Sequence, residues 1–195
     1  MKFKAIGVFC GSAIGKNEIY TKAACDLGKA MANESISLIY GGASVGLMGV
    51  LADSTLENNG HVVGIIPDFF SKKEIAHSNL HELIYVPSMQ ERKRLMADRS
   101  DAFIVLPGGF GTLDEMFEML TFSQLDLHQK LLGILNINGY YDALIKQIEF
   151  MNKEGFVRDN HLSTFVWDNT VDGLLNKMQK HTIIHEEKWL KWAKE

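Results

Sequence analysis

The stretch Pro107-Gly108-Gly109-Phe110-Gly111-Thr112-Leu113-Asp114-Glu115 decides the fold, because it lies where a strand turns into a helix. The apolar run at residues 102–106 is typical of a buried strand, and the pattern over residues 115–120 indicates a helix. Glycine lets the backbone approach a ligand closely, and a helix N-terminus offers free N–H groups to an anion. We therefore interpret the stretch as a phosphate cradle with a carboxylate beside it.

Strand-like and helix-like segments alternate along the whole chain, with short turns between them. This alternation predicts right-handed βαβ units and hence an α/β fold, a Rossmann-like doubly wound parallel sheet of about six or seven strands with helices on both faces. Residues 1–180 are predicted to form a single nucleotide-binding α/β domain, and residues 181–195 a charged C-terminal helix or tail. The predicted strands are residues 3–10, 35–40, 61–66, 83–86, 102–106, 131–135 and 164–167, and the other predicted helices are 20–33, 46–58, 88–100, 140–154 and 171–179.

Composition excludes several classes of protein. Hydrophobic residues make up 46% and charged residues 23% of the 195 residues, which is ordinary for a soluble domain. The net charge of −4 gives no basic field for nucleic acid, and no apolar run approaches the roughly 18–20 residues of a membrane helix. The two cysteines, Cys10 and Cys25, form no CxxC pair, so we expect neither a disulfide framework nor a metal site. A cytoplasmic protein is predicted.

Three glycine-rich turns are expected at one edge of the sheet, because each follows a strand and the carboxyl ends of parallel strands meet there. These turns are residues 11–15, residues 41–46 with Gly42, and the opening stretch. None matches GxGxxG after the first strand or the Walker pattern, so a nicotinamide enzyme and a P-loop NTPase are both disfavoured. Backbone N–H groups and the hydroxyls of Ser12, Ser44 and Thr112 could still bind a phosphate.

Local spacing leaves the role of Glu115 open. Thr112-x-x-Glu115 has the spacing of a capping box, in which the glutamate reaches back to the start of its own helix. The neighbouring Asp114 and Glu118 could simply offset the helix dipole. A carboxylate beside a phosphate cradle could also take part in chemistry, and the spacing alone does not choose between these interpretations.

The run Met89-Gln90-Glu91-Arg92-Lys93-Arg94 is the second cluster of interest. A basic run of this kind is often a solvated helix face. Its helix, which Ser88 is predicted to cap, begins just after a strand, so its first turn would aim Arg92 or Lys93 at the phosphate site.

Together, PGGxGTxxE at Pro107–Glu115 and MxxRK at Met89–Lys93 resemble the paired signature of the LOG (LONELY GUY) family of cytokinin riboside 5′-monophosphate phosphoribohydrolases, long also labelled "possible lysine decarboxylase". The resemblance extends over roughly residues 8–156. Further matching segments are Val8-Phe9-Cys10-Gly11-Ser12, Tyr40-Gly41-Gly42, Val45-Gly46-Leu47-Met48-Gly49, Gln124-Leu125 with His128 and Lys130, and Asn138-Gly139-Tyr140-Tyr141.

The resemblance implies an enzyme that hydrolyses the N-glycosidic bond of a nucleoside 5′-monophosphate, either AMP or an N6-substituted cytokinin nucleotide, to the free base and ribose 5-phosphate. It implies Arg92 and Glu115 as the catalytic pair and a homodimer as the assembly. Hydrolysis by a carboxylate needs neither a metal nor an organic cofactor. The expected substrate-binding residues, from the resemblance and from the turns, are Glu74, Arg92, Lys93, Gly108, Gly109, Phe110, Gly111, Thr112, Leu113, Asp114, Glu115, Thr121, Ser12 and Gly42.

Two further interpretations belong beside this one. A nucleotide-binding or sensing module could use the same cradle without turnover. A pyridoxal-dependent decarboxylase is disfavoured, because no lysine lies in a motif suited to a Schiff base.

The apolar side chains of residues 116–122 could form a dimer surface, or could pack on the sheet of their own chain.

Overall fold

A computed structural model of the chain describes residues 3–71 and 75–184. The described strands are β1 Ala5–Phe9, β2 Ser37–Tyr40, β3 Val62–Pro67, β4 Glu82–Val86, β5 Ala102–Val105, β6 Leu132–Leu135 and β7 Phe165–Asp168. The described helices are α1 Glu18–Asn33, α2 Gly46–Glu57, α3 Asp68–Ser71, α4 Met89–Asp98, α5 Phe110–Gln124, α6 Asp142–Lys153, α7 Asp159–Leu162 and α8 Val171–Lys180, with a short 3-10 turn at Ile137–Gly139. None of these helices combines the length and the apolar character needed to cross a lipid bilayer.

The strands form one parallel sheet in the order β4-β3-β2-β1-β5-β6-β7. The chain winds outward from β1 to β4, returns to the other side of β1 with β5, and continues outward to β7. The predicted doubly wound α/β fold is therefore confirmed. The strand order reverses between β1 and β5, which is where sheets of this kind bind their ligands.

Each face of the sheet carries its own layer of apolar side chains. On one face, Ile6 and Val8 of β1 belong to a core completed by α1, α2 and α8. On the other face, Phe9 belongs to a core that includes side chains of α4, α5 and α6. Because neighbouring residues of a strand point to opposite faces, one apolar run can supply both layers.

The helices differ in how their N-termini are capped. Asn17, Ser88 and Thr170 cap α1, α4 and α8 by accepting a hydrogen bond from a backbone N–H, and the predicted cap at Ser88 is confirmed. In contrast, α2 and α5 begin at glycine-rich turns where no side chain provides a cap. Their first N–H groups thus lack the usual side-chain acceptor.

Two details differ from the sequence-based expectations. Helix α5 begins at Phe110 instead of Glu115, because the glycine-rich stretch contributes its first turn. The short helix α7 and the 3-10 turn were not predicted, since segments of three or four residues carry too little periodicity. The predicted tail begins after α8, and its residues 185–195, with Trp189 and Trp192, lie outside the described residues.

Candidate active site

The turns after β1, β2 and β5 lie side by side, as predicted, because these three strands are neighbours in the sheet. Together with α4 and the segment after β3 they enclose a cavity of about 520 Å³. Its polar lining includes the side chains of Ser12, Arg92, Thr112 and Glu115, and Cys10 lies among them. The first turn of α5 forms part of the rim.

Arg92 and Glu115 form a buried ion pair at the cavity. Nη1 of Arg92 donates to Oε1 of Glu115 over 2.7 Å, and Nε donates to the Ile65 carbonyl over 3.1 Å. The residues are only 9% and 6% exposed. A Cβ added at Gly41 would overlap Nη2 of Arg92, so the glycine makes room for the guanidinium. The two predicted catalytic residues therefore meet, although 23 positions separate them in the chain.

Electrostatics distinguish the groups around this pair. Burial raises the pKa of the Glu115 carboxyl, and the neighbouring Arg92 guanidinium opposes part of that rise. Burial also raises the pKa of the Cys10 thiol, an effect that the Glu115 charge reinforces. Glu115 thus has the character of a buried proton acceptor, whereas Cys10 remains a protonated, unreactive side chain.

The capping-box interpretation of Glu115 is wrong. Because α5 begins at Phe110, Thr112 lies in its first turn and Glu115 in its second, and Gly109 occupies the cap position. The Glu115 carboxylate pairs with Arg92 of another helix. Thr112 is buried and packs against Gly108, where an added Cβ would overlap its hydroxyl oxygen.

The remaining glycines of the stretch have no such packing role. A Cβ added at Gly109 or at Gly111 would meet no atom within 4 Å. Both residues line the cavity, and neither has the positive φ that would favour glycine. Open space therefore lies beside the N–H groups at the start of α5, which no side chain caps. This arrangement suits an anionic group that approaches the backbone closely.

Lys93 faces α5 and is held there by carboxylates. Its Nζ donates to Asp114 over 3.0 Å and also to Glu118. Burial lowers the pKa of the Lys93 ammonium, but the two carboxylates outweigh burial and raise the pKa above its usual value. Asp114 and Glu118 therefore do more than offset the helix dipole, since they fasten α5 to α4. Of these three residues, Asp114 lines the cavity.

The structure places the other predicted substrate-binding residues in different surroundings. Gly42 adopts a positive φ of 74° and its carbonyl accepts from the His77 N–H. Leu113 packs against the core. Thr121 is exposed on α5, about 13 Å along the helix from Thr112. Glu74 lies outside the described residues.

The predicted residues that do line the cavity are Ser12, Arg92, Gly109, Phe110, Gly111, Thr112, Asp114 and Glu115. Gly42, Lys93, Gly108, Leu113 and Thr121 are not among its lining residues.

One wall of the cavity is apolar, and no sequence signal identified it. Met48, Ile66, Phe70, Ile75 and Met89 come from four separate parts of the chain. Such a wall can be recognised only once the fold brings those parts together.

The segment after the undescribed residues is anchored to the second glycine-rich turn. The Ser44 N–H donates to the Ile75 carbonyl over 2.8 Å, and Ala43 pairs with Ala76. The buried His77 places Nε2 2.9 Å from an Asp53 carboxylate oxygen, while its Nδ1 faces a backbone N–H. These contacts fix Ile75 in the cavity wall.

Comparisons with known proteins agree with the geometry. The family model described as "Possible lysine decarboxylase" matches residues 48–178, which is more than half of the chain. The "Cytokinin riboside 5'-monophosphate phosphoribohydrolase LOG3" of Arabidopsis thaliana is 41% identical over 185 residues, covering 95% of this chain and 86% of that protein. The "Probable cytokinin riboside 5'-monophosphate phosphoribohydrolase LOGL2" of Oryza sativa subsp. japonica is 40% identical over 196 residues, covering 100% of this chain and 80% of that protein.

Solved structures with the same fold are more distant in sequence. A molybdenum cofactor binding protein from Rippkaea orientalis superposes with a TM-score of 0.69 at 23% identity, covering 92% of this chain and 97% of that chain. The Moco carrier protein from Chlamydomonas reinhardtii gives a TM-score of 0.66 at 18% identity, with 90% and 95% covered. At these identities the likeness concerns the fold alone.

Proposed function

The chain belongs to the LOG family of cytokinin riboside 5′-monophosphate phosphoribohydrolases, and from this premise we propose that it hydrolyses the N-glycosidic bond of a nucleoside 5′-monophosphate. The products are the free base and ribose 5-phosphate. The observation that carries the proposal is the buried Arg92–Glu115 pair in a cavity whose rim is an uncapped helix N-terminus. One cavity thus combines a carboxylate for the sugar with N–H groups for the phosphate.

The phosphate binds at the start of α5. The open space beside Gly109 and Gly111 supports this placement, because a tetrahedral anion needs close access to the backbone N–H groups. The Thr112 and Ser12 hydroxyls lie in the same lining. Binding energy from the phosphate, which does not react, positions the ribose and the scissile bond against Glu115.

Glu115 acts at the anomeric carbon. As the bond from C1′ to the base breaks, its electron pair leaves with the base, and positive charge develops on the ribose. The Glu115 carboxylate stabilises that charge and accepts a proton from the water that attacks C1′. The departing base takes up a proton from solvent, and Glu115 then returns its proton to solvent. Burial has already raised the pKa of Glu115, which suits a proton acceptor, and Arg92 orients the carboxylate.

The substrate is AMP or an AMP that carries a substituent on N6. The apolar wall of Met48, Ile66, Phe70 and Ile75 supports a substrate whose base carries apolar surface. The family resemblance also implies that Glu74, Lys93 and Thr121 bind the substrate, and these roles are part of the proposal. The Lys93 ammonium has three N–H donors, of which Asp114 and Glu118 accept two, so one donor remains for a substrate.

A panel of substrates tests this function. Purified protein is incubated with AMP, N6-isopentenyl-AMP and adenosine, and both the free base and ribose 5-phosphate are measured. We expect the monophosphates to release base and adenosine to react at least about 100-fold more slowly, because adenosine lacks the group that binds α5. Absence of release from every monophosphate at high enzyme concentration would contradict the proposal, and it is the result that a non-catalytic nucleotide-binding module predicts.

We also propose that the chain forms a homodimer and resides in the cytoplasm. Exposed apolar side chains on and after α5, Phe110, Phe117, Leu125 and Leu127, support an interface there, whereas Met116 and Met119 pack in the chain's own core. Both cysteines are free thiols, which is compatible with a reducing compartment. Sedimentation analysis of the purified protein tests the dimer: we expect twice the chain mass, and a monomer at micromolar concentration would contradict it.

A further inference from the structure

Two adjacent tyrosines after β6 bond to the turn after β5. The Tyr140 hydroxyl donates to the Gly108 carbonyl over 2.7 Å, and the Tyr141 hydroxyl donates to the Leu106 carbonyl over 2.7 Å. These carbonyls lie on either side of Pro107, at the start of the glycine-rich stretch. In the sequence, these tyrosines stand out only as part of the match to the family, and the proposed reaction assigns them no role.

The other carbonyls of this turn also have donors. The Pro107 carbonyl accepts from the Gly11 N–H over 3.1 Å, and the Gly109 carbonyl accepts from the Leu113 N–H over 3.1 Å. Four consecutive carbonyls therefore bond within the chain. In a trans peptide the C=O and N–H groups point in opposite directions, so the contact at the Gly108 carbonyl turns the Gly109 N–H away from the tyrosine.

The backbone N–H groups of residues 109–112 are left for a ligand. These residues line the cavity, and no acceptor among the described residues bonds to their N–H groups. A carbonyl oxygen rotated into this space would repel a phosphate. The direction of the peptides therefore decides whether the turn attracts or repels an anion.

The tyrosines are placed by a specifically shaped turn. Asn136 is 1% exposed, and its side chain accepts from the Tyr141 N–H and donates to Asp142, each over 2.7 Å. Asn138 and Gly139 adopt positive φ values of 54° and 69°. A non-glycine residue in this conformation costs free energy and persists only where its surroundings impose it.

The two hydroxyls have different surroundings. Tyr141 is buried, and burial raises the pKa of its phenol, which therefore stays protonated and remains a donor. Tyr140 is 44% exposed, and its ring packs edge-on against those of Tyr141 and Tyr20, at centroid distances of 4.9 and 5.6 Å. Tyr140 can thus lose its hydroxyl without leaving a cavity in the core.

We propose that Tyr140 and Tyr141 are positioning residues for the phosphate: the Tyr140 hydroxyl holds the Gly108 carbonyl, so that the Gly109 N–H stays directed at the anion, and the Tyr141 hydroxyl holds the Leu106 carbonyl, which fixes the start of the same turn. The inference rests on the proposed function, because it assumes that the phosphate binds there. It assigns the turn after β6 a role in binding the non-reacting end of the substrate.

Tyr140→Phe is the test variant, because it removes one hydroxyl and keeps the ring. Binding of ribose 5-phosphate is measured by calorimetry. KM, kcat and the inhibition constant of free adenine are measured with AMP as the substrate. We expect the Kd for ribose 5-phosphate and the KM to rise about fivefold, the usual effect of one lost hydrogen bond, with kcat changed less than about twofold. Inhibition by adenine, which lacks a phosphate, should not change.

Tyr20→Phe is the matched control, because the Tyr20 ring packs on Tyr140 but its hydroxyl makes no hydrogen bond to a described residue. It should leave the Kd unchanged. The inference is overturned if folded Tyr140→Phe binds ribose 5-phosphate like the wild type, if adenine inhibition weakens equally, or if the wild type does not bind ribose 5-phosphate. A wild type that binds ribose 5-phosphate but releases no base would instead refute the proposed reaction, and calorimetry would still decide the role of Tyr140.

Discussion

Removing Arg92 should destabilise the protein far more than removing an exposed arginine. In Arg92→Met the buried Glu115 carboxylate loses a donor at 2.7 Å, and the Ile65 carbonyl loses one at 3.1 Å. Breaking a buried ion pair by removing one partner costs about 3–5 kcal/mol, because a charge stays buried without compensation. We expect a loss of that size in the free energy of unfolding at pH 7.5, measured by urea denaturation.

The loss should depend on pH in a defined direction. Burial raises the pKa of Glu115, and Arg92 lowers it, so Arg92→Met raises it further. Between the unfolded-state value of about 4.5 and the raised pKa of the folded variant, the unfolded chain releases this proton more fully than the folded variant does, so stability falls as pH rises, by at most about 1.4 kcal/mol per unit. The variant should therefore lose less stability at pH 5.5 than at pH 7.5.

Two further variants sharpen the test. Arg94→Met removes an arginine from the same helix whose side chain is 64% exposed, and it should change stability little. Arg92→Met combined with Glu115→Gln should recover much of the loss at pH 7.5, because the buried charge is gone. A loss below about 1 kcal/mol in Arg92→Met, or a loss independent of pH, would refute the reasoning from a buried pair.

Three other substitutions have separate expected outcomes. Gly111→Ala should keep the wild-type melting temperature, because the added Cβ meets no atom within 4 Å. It should raise the KM for AMP about tenfold, because the methyl group obstructs the anion, and an unchanged KM would contradict this. Gly41→Ala should displace the Arg92 guanidinium, and we expect a loss of about 1–3 kcal/mol in urea denaturation together with lower kcat; wild-type values of both would contradict this. Burial lowers the pKa of His128 to about 4. Between that value and the usual 6.5, the unfolded state binds more protons than the folded state, so wild-type stability falls with acidification. His128→Phe should reduce the loss in the free energy of unfolding between pH 6.5 and 5 by about 1 kcal/mol, a figure lowered because solvent screens a partly exposed ring. Identical dependence of stability on pH in the variant and the wild type would contradict this.

The doubly wound parallel sheet and the common edge of the three turns could be predicted from the sequence. The alternation of apolar runs with helical periodicity indicates a parallel sheet, and the handedness of βαβ units then brings the turns together. The same reasoning placed Arg92 at the start of a helix near that edge. These predictions depend on local patterns combined with general rules of topology.

Contacts between separate elements could not be predicted in this way. The spacing of Thr112 and Glu115 suggested a cap, and only the position of α4 beside α5 reveals that Arg92 takes the carboxylate. Lys93 looked like a phosphate ligand, but its carboxylate partners lie more than 20 residues away in the chain. The start of α5 was predicted too late, because glycines lack the side-chain signal of a cap.

Cavity shape was also beyond the sequence. The apolar wall draws on four segments, and no spacing connects Met48 with Ile66 or Phe70. The bonds from Tyr140 and Tyr141 to the neighbouring turn were equally invisible, since a tyrosine hydroxyl can reach acceptors in any adjacent element.

The central claim is that Glu115 carries out base release, and one comparison tests it most directly. The rate of base release from AMP is measured for the wild type, for Glu115→Gln and for Glu149→Gln, an exposed glutamate on α6, with the Kd for ribose 5-phosphate measured alongside. We predict that Glu115→Gln lowers kcat by about 10²-fold to 10⁴-fold while its Kd stays within about threefold, and that Glu149→Gln behaves like the wild type. Base release by Glu115→Gln at the wild-type rate would contradict the account.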